Sequence, residues 1–174
     1  FGGGKGDDTY TPFVLGNVTV NINGGNIGNV FGGNDAKGSP NGTDFVYLNG
    51  GGIGNSYGGG NNTGQEVTNI YLQGATVNNV FGGSKTQGTV YGNANVSVLG
   101  GNIVNDVYGG GEGNNTFVTK NVNVVIGDNS ISNELLINGN VYGGSAYGTV
   151  NGSIADTSVS NFGTNVTVNR GTIT

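Results

Sequence analysis

One strand pattern returns six times along this chain, and a chain that repeats itself at a near-constant interval folds as a stack of like units. In Val18-Thr19-Val20-Asn21-Ile22-Asn23-Gly24-Gly25 apolar residues alternate with polar ones, the period of a strand with one buried face. Ile22 of that block is answered by Leu48, Leu72, Val98, Ile126 and Val168, and Val20 by Val46, Ile70, Val96, Val124 and Val166. Successive members of the first column lie 26, 24, 26, 28 and 42 residues apart, so the last interval is expected to carry insertions, at 132–138 and 154–162. A further aliphatic column, Ile27, Ile53, Val77, Ile103, Ile131 and Ile173, predicts a second strand. Between the two stand Gly24-Gly25, Gly50-Gly51, Gly74-Ala75 and Gly100-Gly101, where a missing side chain lets the backbone turn a corner.

After the second strand the chain reads Val30-Phe31-Gly32-Gly33, Ser56-Tyr57-Gly58-Gly59, Val80-Phe81-Gly82-Gly83, Val107-Tyr108-Gly109-Gly110 and Val141-Tyr142-Gly143-Gly144, with Phe1-Gly2-Gly3 as a shortened copy. Glycine is abundant at 39 residues, but without collagen's strict triplet, and no helical period is present. One such unit cannot bury its apolar face alone; stacking at about 4.8 Å gives each strand a neighbour above and below. The expected fold is all-β: a parallel β-helix, or β-solenoid, of about six coils with about 25 residues per coil. It forms a single domain over residues 1–174, a rod roughly 30 Å long.

The Val-Phe/Tyr-Gly-Gly and Val-x-Val-x-Gly-Gly blocks resemble the Gly- and Asn-rich coils of bacterial surface β-helices, the architecture of autotransporter passengers, adhesins and pectate-lyase-like proteins. The resemblance covers nearly the whole chain and is one of repeat style. It implies a right-handed solenoid at a bacterial surface or outside the cell, and it carries over no catalytic residue.

Composition narrows the function. Ten acidic and 5 basic residues leave a net charge of -5, so there is no basic track for a phosphate backbone and no nucleic-acid partner is expected. No apolar run is long enough for a membrane span. The absence of His and Cys removes the commonest general base, the commonest metal ligands and the thiol nucleophile, so an enzyme is not expected. A carbohydrate-active β-helix enzyme would need two or three carboxylates in one groove, and Lys5, Lys37, Lys85, Lys120 and Arg170 are too scattered to supply the accompanying cation.

Several columns are candidate sites. The outward positions of the first strand bring Phe45, Tyr47 and Tyr71 together, a candidate aromatic platform for a glycan that competes with plain cross-strand pairing. Asn29, Asn55, Asn79, Asp106 and Asn140 form an amide ladder two residues before the aromatics. The aromatic column Phe1, Phe31, Tyr57, Phe81, Tyr108 and Tyr142 is read as a stack, and its mixture of Phe and Tyr suggests ring edges at the surface. Gly3-Gly4-Lys5-Gly6-Asp7-Asp8-Thr9-Tyr10 fits the calcium nonapeptide pattern once rather than in tandem, which makes Asp7, Asp8 and Asp35 the candidate calcium ligands; no other cofactor is expected. In the loop column Lys5, Asp35, Asn61, Lys85, Glu112 and Ala146, a Lys5–Asp35 pair is expected. An ice-binding face is a minor alternative, since Thr19, Phe45, Asn69, Asn95, Asn123 and Asn165 give no ranked threonines. Seven Asn-x-Ser/Thr sequons arise readily in so Asn-rich a chain.

These features point to an extracellular structural or adhesive segment: a stalk, scaffold or fibre that contacts further copies of itself end to end, or glycans and host surfaces. The chain begins at Phe1 in mid-motif and ends at Thr174, just short of where a new aromatic-Gly-Gly would follow Ile173, so it is expected to be a segment of a longer repeat protein or a fibre subunit.

Overall fold

A computed structural model describes residues 1–130, 133–153, 158 and 160–174, and every sheet pairing in it is parallel. A short β1 (Phe13–Val14) precedes a turn made of β2 (Val18–Ile22), β3 (Asn26–Phe31) and β4 (Ser39–Pro40). The chain continues through β5 (Thr43–Leu48) and β6 (Gly52–Tyr57), then β7 (Val67–Leu72), β8 (Thr76–Phe81) and β9 (Gln87–Val90). Next come β10 (Ala94–Val98), β11 (Gly101–Ile103), β12 (Val107–Tyr108) and β13 (Asn115–Val118). After these follow β14 (Val122–Ile126), β15 (Leu135–Ile137), β16 (Val141–Tyr142) and β17 (Thr149–Val150), and last β18 (Thr164–Val168) and β19 (Thr172–Ile173).

The first side of the solenoid is a six-stranded sheet in the order β18-β14-β10-β7-β5-β2. Its register sets Val20 on Val46, Ile70, Val96, Val124 and Val166, so equivalent side chains lie one rung apart as the repeat requires. The second side is an eight-stranded sheet built from β3, β6, β8, β11, β12, β15, β16 and β19. The third side is weaker: β17, β13 and β9 form one ladder, while β1 and β4 pair separately.

The turns therefore number about four, at roughly 26 residues each, rather than the expected six. The six-fold count came from the first side, whose aliphatic alternation is the most regular. Among the described residues, strands lie on the third side only at β1, β4, β9, β13 and β17. Between β6 and β7 that side is held by a single bridge from Gln65 to Val90.

A second correction concerns the aliphatic column of the second strand. Ile137, not Ile131, lies between Ile103 and Ile173 in the register. Ile131 lies outside the described residues, as do Ser132 and most of the proposed insertion at 154–162. The extra length before β15 therefore precedes Leu135, inside 127–134, instead of running on to 138.

One continuous core fills the lumen. Val46, Leu48, Ile70, Leu72, Val96 and Val98 from the first side meet Ile53, Val77, Val80, Ile103 and Ile137 from the second and Val90 and Val118 from the third. Burying one such side chain contributes about 1.5–3 kcal/mol. Among the described residues no helix is long and apolar enough to cross a membrane.

Candidate functional site

Alternation along β5 sends Asp44, Val46 and Leu48 inward and leaves Phe45 and Tyr47 outside, and the parallel register sets Tyr71 of β7 beside Tyr47. The Tyr47 and Tyr71 rings stack at 5.0 Å between centroids, 11° from parallel, and Phe45 stands beside Tyr47 at 6.4 Å with its plane turned by 8°. A separation close to the strand spacing means that the tyrosines stack along the rod and turn their edges to solvent. The three residues proposed for a glycan platform are thus together, but Tyr47 and Tyr71 cover one another. The other face of Tyr71 looks towards the next rung, where Ser97 pairs with it in the register.

An amide ladder runs alongside. Asn95 donates to Asn69 at 3.0 Å, Asn123 to Asn95 at 2.9 Å and Asn165 to Asn123 at 3.0 Å, all through side-chain amides. An amide has two N–H groups and two acceptor lone pairs; Asn95 also donates to the Thr68 carbonyl at 3.5 Å, so of the middle two Asn123 is the one that keeps one of each after serving the ladder. No position in these two outward columns, from Thr19 to Asn165 or from Asn21 to Thr167, is charged.

The second aromatic column is a continuous stack. Phe1, Phe31, Tyr57, Phe81, Tyr108 and Tyr142 follow one another at 4.3 to 5.0 Å, all within 9° of parallel. The expected edges at the surface hold for part of the column: Tyr57 is 0% exposed and Phe31 and Phe81 are also buried, while Tyr108 is half-buried and the end members Phe1 and Tyr142 are open. Carboxylates from neighbouring loops serve the hydroxyls instead. Tyr57 donates to Glu112 at 2.5 Å and Tyr108 to Asp106 at 3.1 Å. Burial first, then the hydrogen bond to Asp106, pushes the Tyr108 phenol up to about 12.

The column two residues before the aromatics is partly bonded. Register stacks Asn29 on Asn55 and Asn55 on Asn79. Asn79 donates its amide to Asn55 at 2.9 Å, the Asp106 backbone N–H donates to Asn79, and Asn140 donates to the Asp106 carboxylate through its backbone at 2.7 Å and its amide at 3.3 Å.

The proposed calcium ligands do not converge. Asp7 accepts the backbone N–H groups of Tyr10 and Thr9, which hold its carboxyl below the usual range; Asp8 pairs with Lys37 at 3.7 Å; Asp35 accepts the Asn61 amide at 2.9 Å. Among the described residues no group of three or more carboxylates is placed to hold a metal ion. The Lys5–Asp35 pair gives way to these contacts. Open depressions of about 320 to 430 Å³ lie against Asp7, against Glu134 and against Asn151, and among the described residues none is lined by two carboxylates.

Two arrangements escaped sequence reasoning, and a third was legible but not singled out. The Tyr57–Glu112 bond joins residues 55 apart in sequence and has no local signal. A buried polar corner, in which Gln65 donates to the Thr63 carbonyl and Ser84 donates to Gln65 and to that same carbonyl, follows the Gly-Gly motifs without a repeated residue type. Asp44 was legible, because the alternation that buries Val46 and Leu48 also buries it.

Comparison with protein-family models, with curated proteins and with solved structures returns no match, so the fold rests on the register described above and the function on chemistry.

Proposed function

We propose that this chain is a non-catalytic rod segment of an extracellular assembly, a stalk, scaffold or fibre of a bacterial surface. The observation that supports this most is the unbroken passage of aliphatic, aromatic and amide ladders from rung to rung. Such a structure spends its sequence on length and resistance rather than on a cleft. The absence of His and Cys, and the separation of Asp7, Asp8 and Asp35, favour this reading over an enzyme.

The partner class that fits is a second copy stacked end to end. Val166, Val168 and Ile173 are 45%, 53% and 41% exposed, and Val20, Ile22 and Ile27 on the first rung are half-buried, although the same columns are closed on the rungs between. Light scattering and electron microscopy across a concentration series test the fibre component. Elongated particles that lengthen with concentration are expected; a compact, strictly monomeric species at high concentration would refute it. Release of reducing ends from polygalacturonate by the purified chain would refute the non-catalytic part.

A second reading, glycan binding, is favoured by the step from Tyr71 to Ser97 beside the amide ladder. A neutral sugar ring stacked on the open face of Tyr71 would lie over Ser97, with the amides of Asn95 and Asn123 near its hydroxyls. On an array of neutral and sulfated oligosaccharides, binding should be confined to neutral sugars and lost in Tyr71→Ala. It should also be lost in Ser97→Phe, which fills the step while continuing the stack. Binding unchanged in both variants would remove this site.

A further inference from the structure

Among the described residues, Asp44 is the only carboxylate buried in the core: it is 0% exposed, and neither of its oxygens has a hydrogen-bond partner. In β5 it lies between Val18 of β2 and Thr68 of β7. Across the lumen it meets the backbone of Gly32, where an added Cβ would come within 3.2 Å of the Asp44 Cβ. None of these neighbours titrates or carries charge, and the Thr68 hydroxyl is committed to the Gly82 carbonyl at 2.6 Å. The Ser56 hydroxyl, in the strand that follows β5, is also without a partner. An isolated carboxylate in such surroundings keeps its proton instead of its charge.

We propose that Asp44 is a pH-sensitive lock in the solenoid interior: as the neutral acid it lets β5 close between β2 and β7, and its ionisation in alkaline surroundings loosens that rung. This goes beyond the rod reading and does not depend on what the rod binds. Desolvation raises the Asp44 carboxyl from 3.8 to about 8. The unfolded chain therefore gives up this proton above about pH 4, while the folded chain holds it until about pH 8. The contribution to stability is complete in acid, falls through that window by up to about tenfold in the folding equilibrium per pH unit, and is constant above it.

Urea unfolding of the full chain from pH 4 to pH 9 tests this, with Asp44→Thr as the comparison because Thr68 and Thr164 occupy the same column. The two proteins should differ least at pH 4. By pH 9 the folding equilibrium of Asp44→Thr should exceed that of the wild type by about a hundredfold or more. Curves that stay parallel over the whole range would overturn the proposal. Infrared spectroscopy of the chain labelled with carboxyl-¹³C aspartate gives an independent readout on the wild type. A protonated carboxyl band is expected at pH 7, lost above pH 9 and absent from Asp44→Asn; fully ionised aspartates at pH 7 would overturn the proposal equally.

Discussion

Tyr57 finds a partner for its hydroxyl two turns away because the ring next to it in the stack, Phe81, has none to provide. Glu112, in the loop after Tyr108, reaches back past Phe81 to accept that proton donor. Burial, with Glu112 as a second cause, pushes the Tyr57 phenol well above its usual range, so it remains a donor at any pH the fold survives. Tyr57→Phe keeps the ring and the stack but leaves a half-buried carboxylate without its donor, at a cost of about 1–3 kcal/mol. Glu112→Gln retains an acceptor and should cost less, and the double variant should cost less than the sum of the two singles. Urea midpoints measure all three. Strict additivity would show that the bond does not couple the two turns.

At the scale of elements, the first glycine after each aromatic is required by close approach rather than by a turn. A Cβ on Gly82 would sit 2.0 Å from the Gly109 carbonyl oxygen, and one on Gly58 would sit 2.4 Å from that of Gly82, so backbone meets backbone from rung to rung up to Gly109, while Gly143 faces the Thr164 side chain. Gly51, with φ +91°, is instead a corner residue of the kind expected between the first and second strands. Gly82→Ala should destabilise by roughly 1–3 kcal/mol or more, since no flexible side chain can yield. Gly28→Ala, which meets nothing within 4 Å, should stay within about 0.5 kcal/mol. Thermal unfolding distinguishes them, and equal effects would refute the close-approach account. These columns also show what sequence could reveal. The first side was legible to the residue because Val20 and Ile22 recur as aliphatics that only a shared core explains. The third side was not, because β4, β9, β13 and β17 are short and mix Ser, Pro, Gln and Thr without an alternating aliphatic period. Phe45, Tyr47 and Tyr71 were placed together from alternation alone, but the orientation of their rings follows from rung spacing and could not be read from the letters.

Over the whole molecule, a solenoid in which each turn touches only its neighbours distributes stability along its axis, and side-chain closure shows the gradient directly. Leu72 is 0% exposed between Leu48 and Val98, whereas Val168, in the same column on the last rung, is 53% exposed. Leu72→Ala should therefore cost about 2–5 kcal/mol through the cavity it opens between two occupied rungs. Val168→Ala, with a neighbour on one side only, should cost about 0.5 kcal/mol or less. Amide hydrogen exchange makes the same comparison without substitution. Strands with partners on both sides, β7 and β10, should exchange slowest, and β18 and β19 fastest, because local opening follows the number of rungs that must part. Uniform protection from β2 to β18 would mean that the rod opens only as one unit, and that its stability resides in ladders running its full length instead of in pairs of adjacent turns.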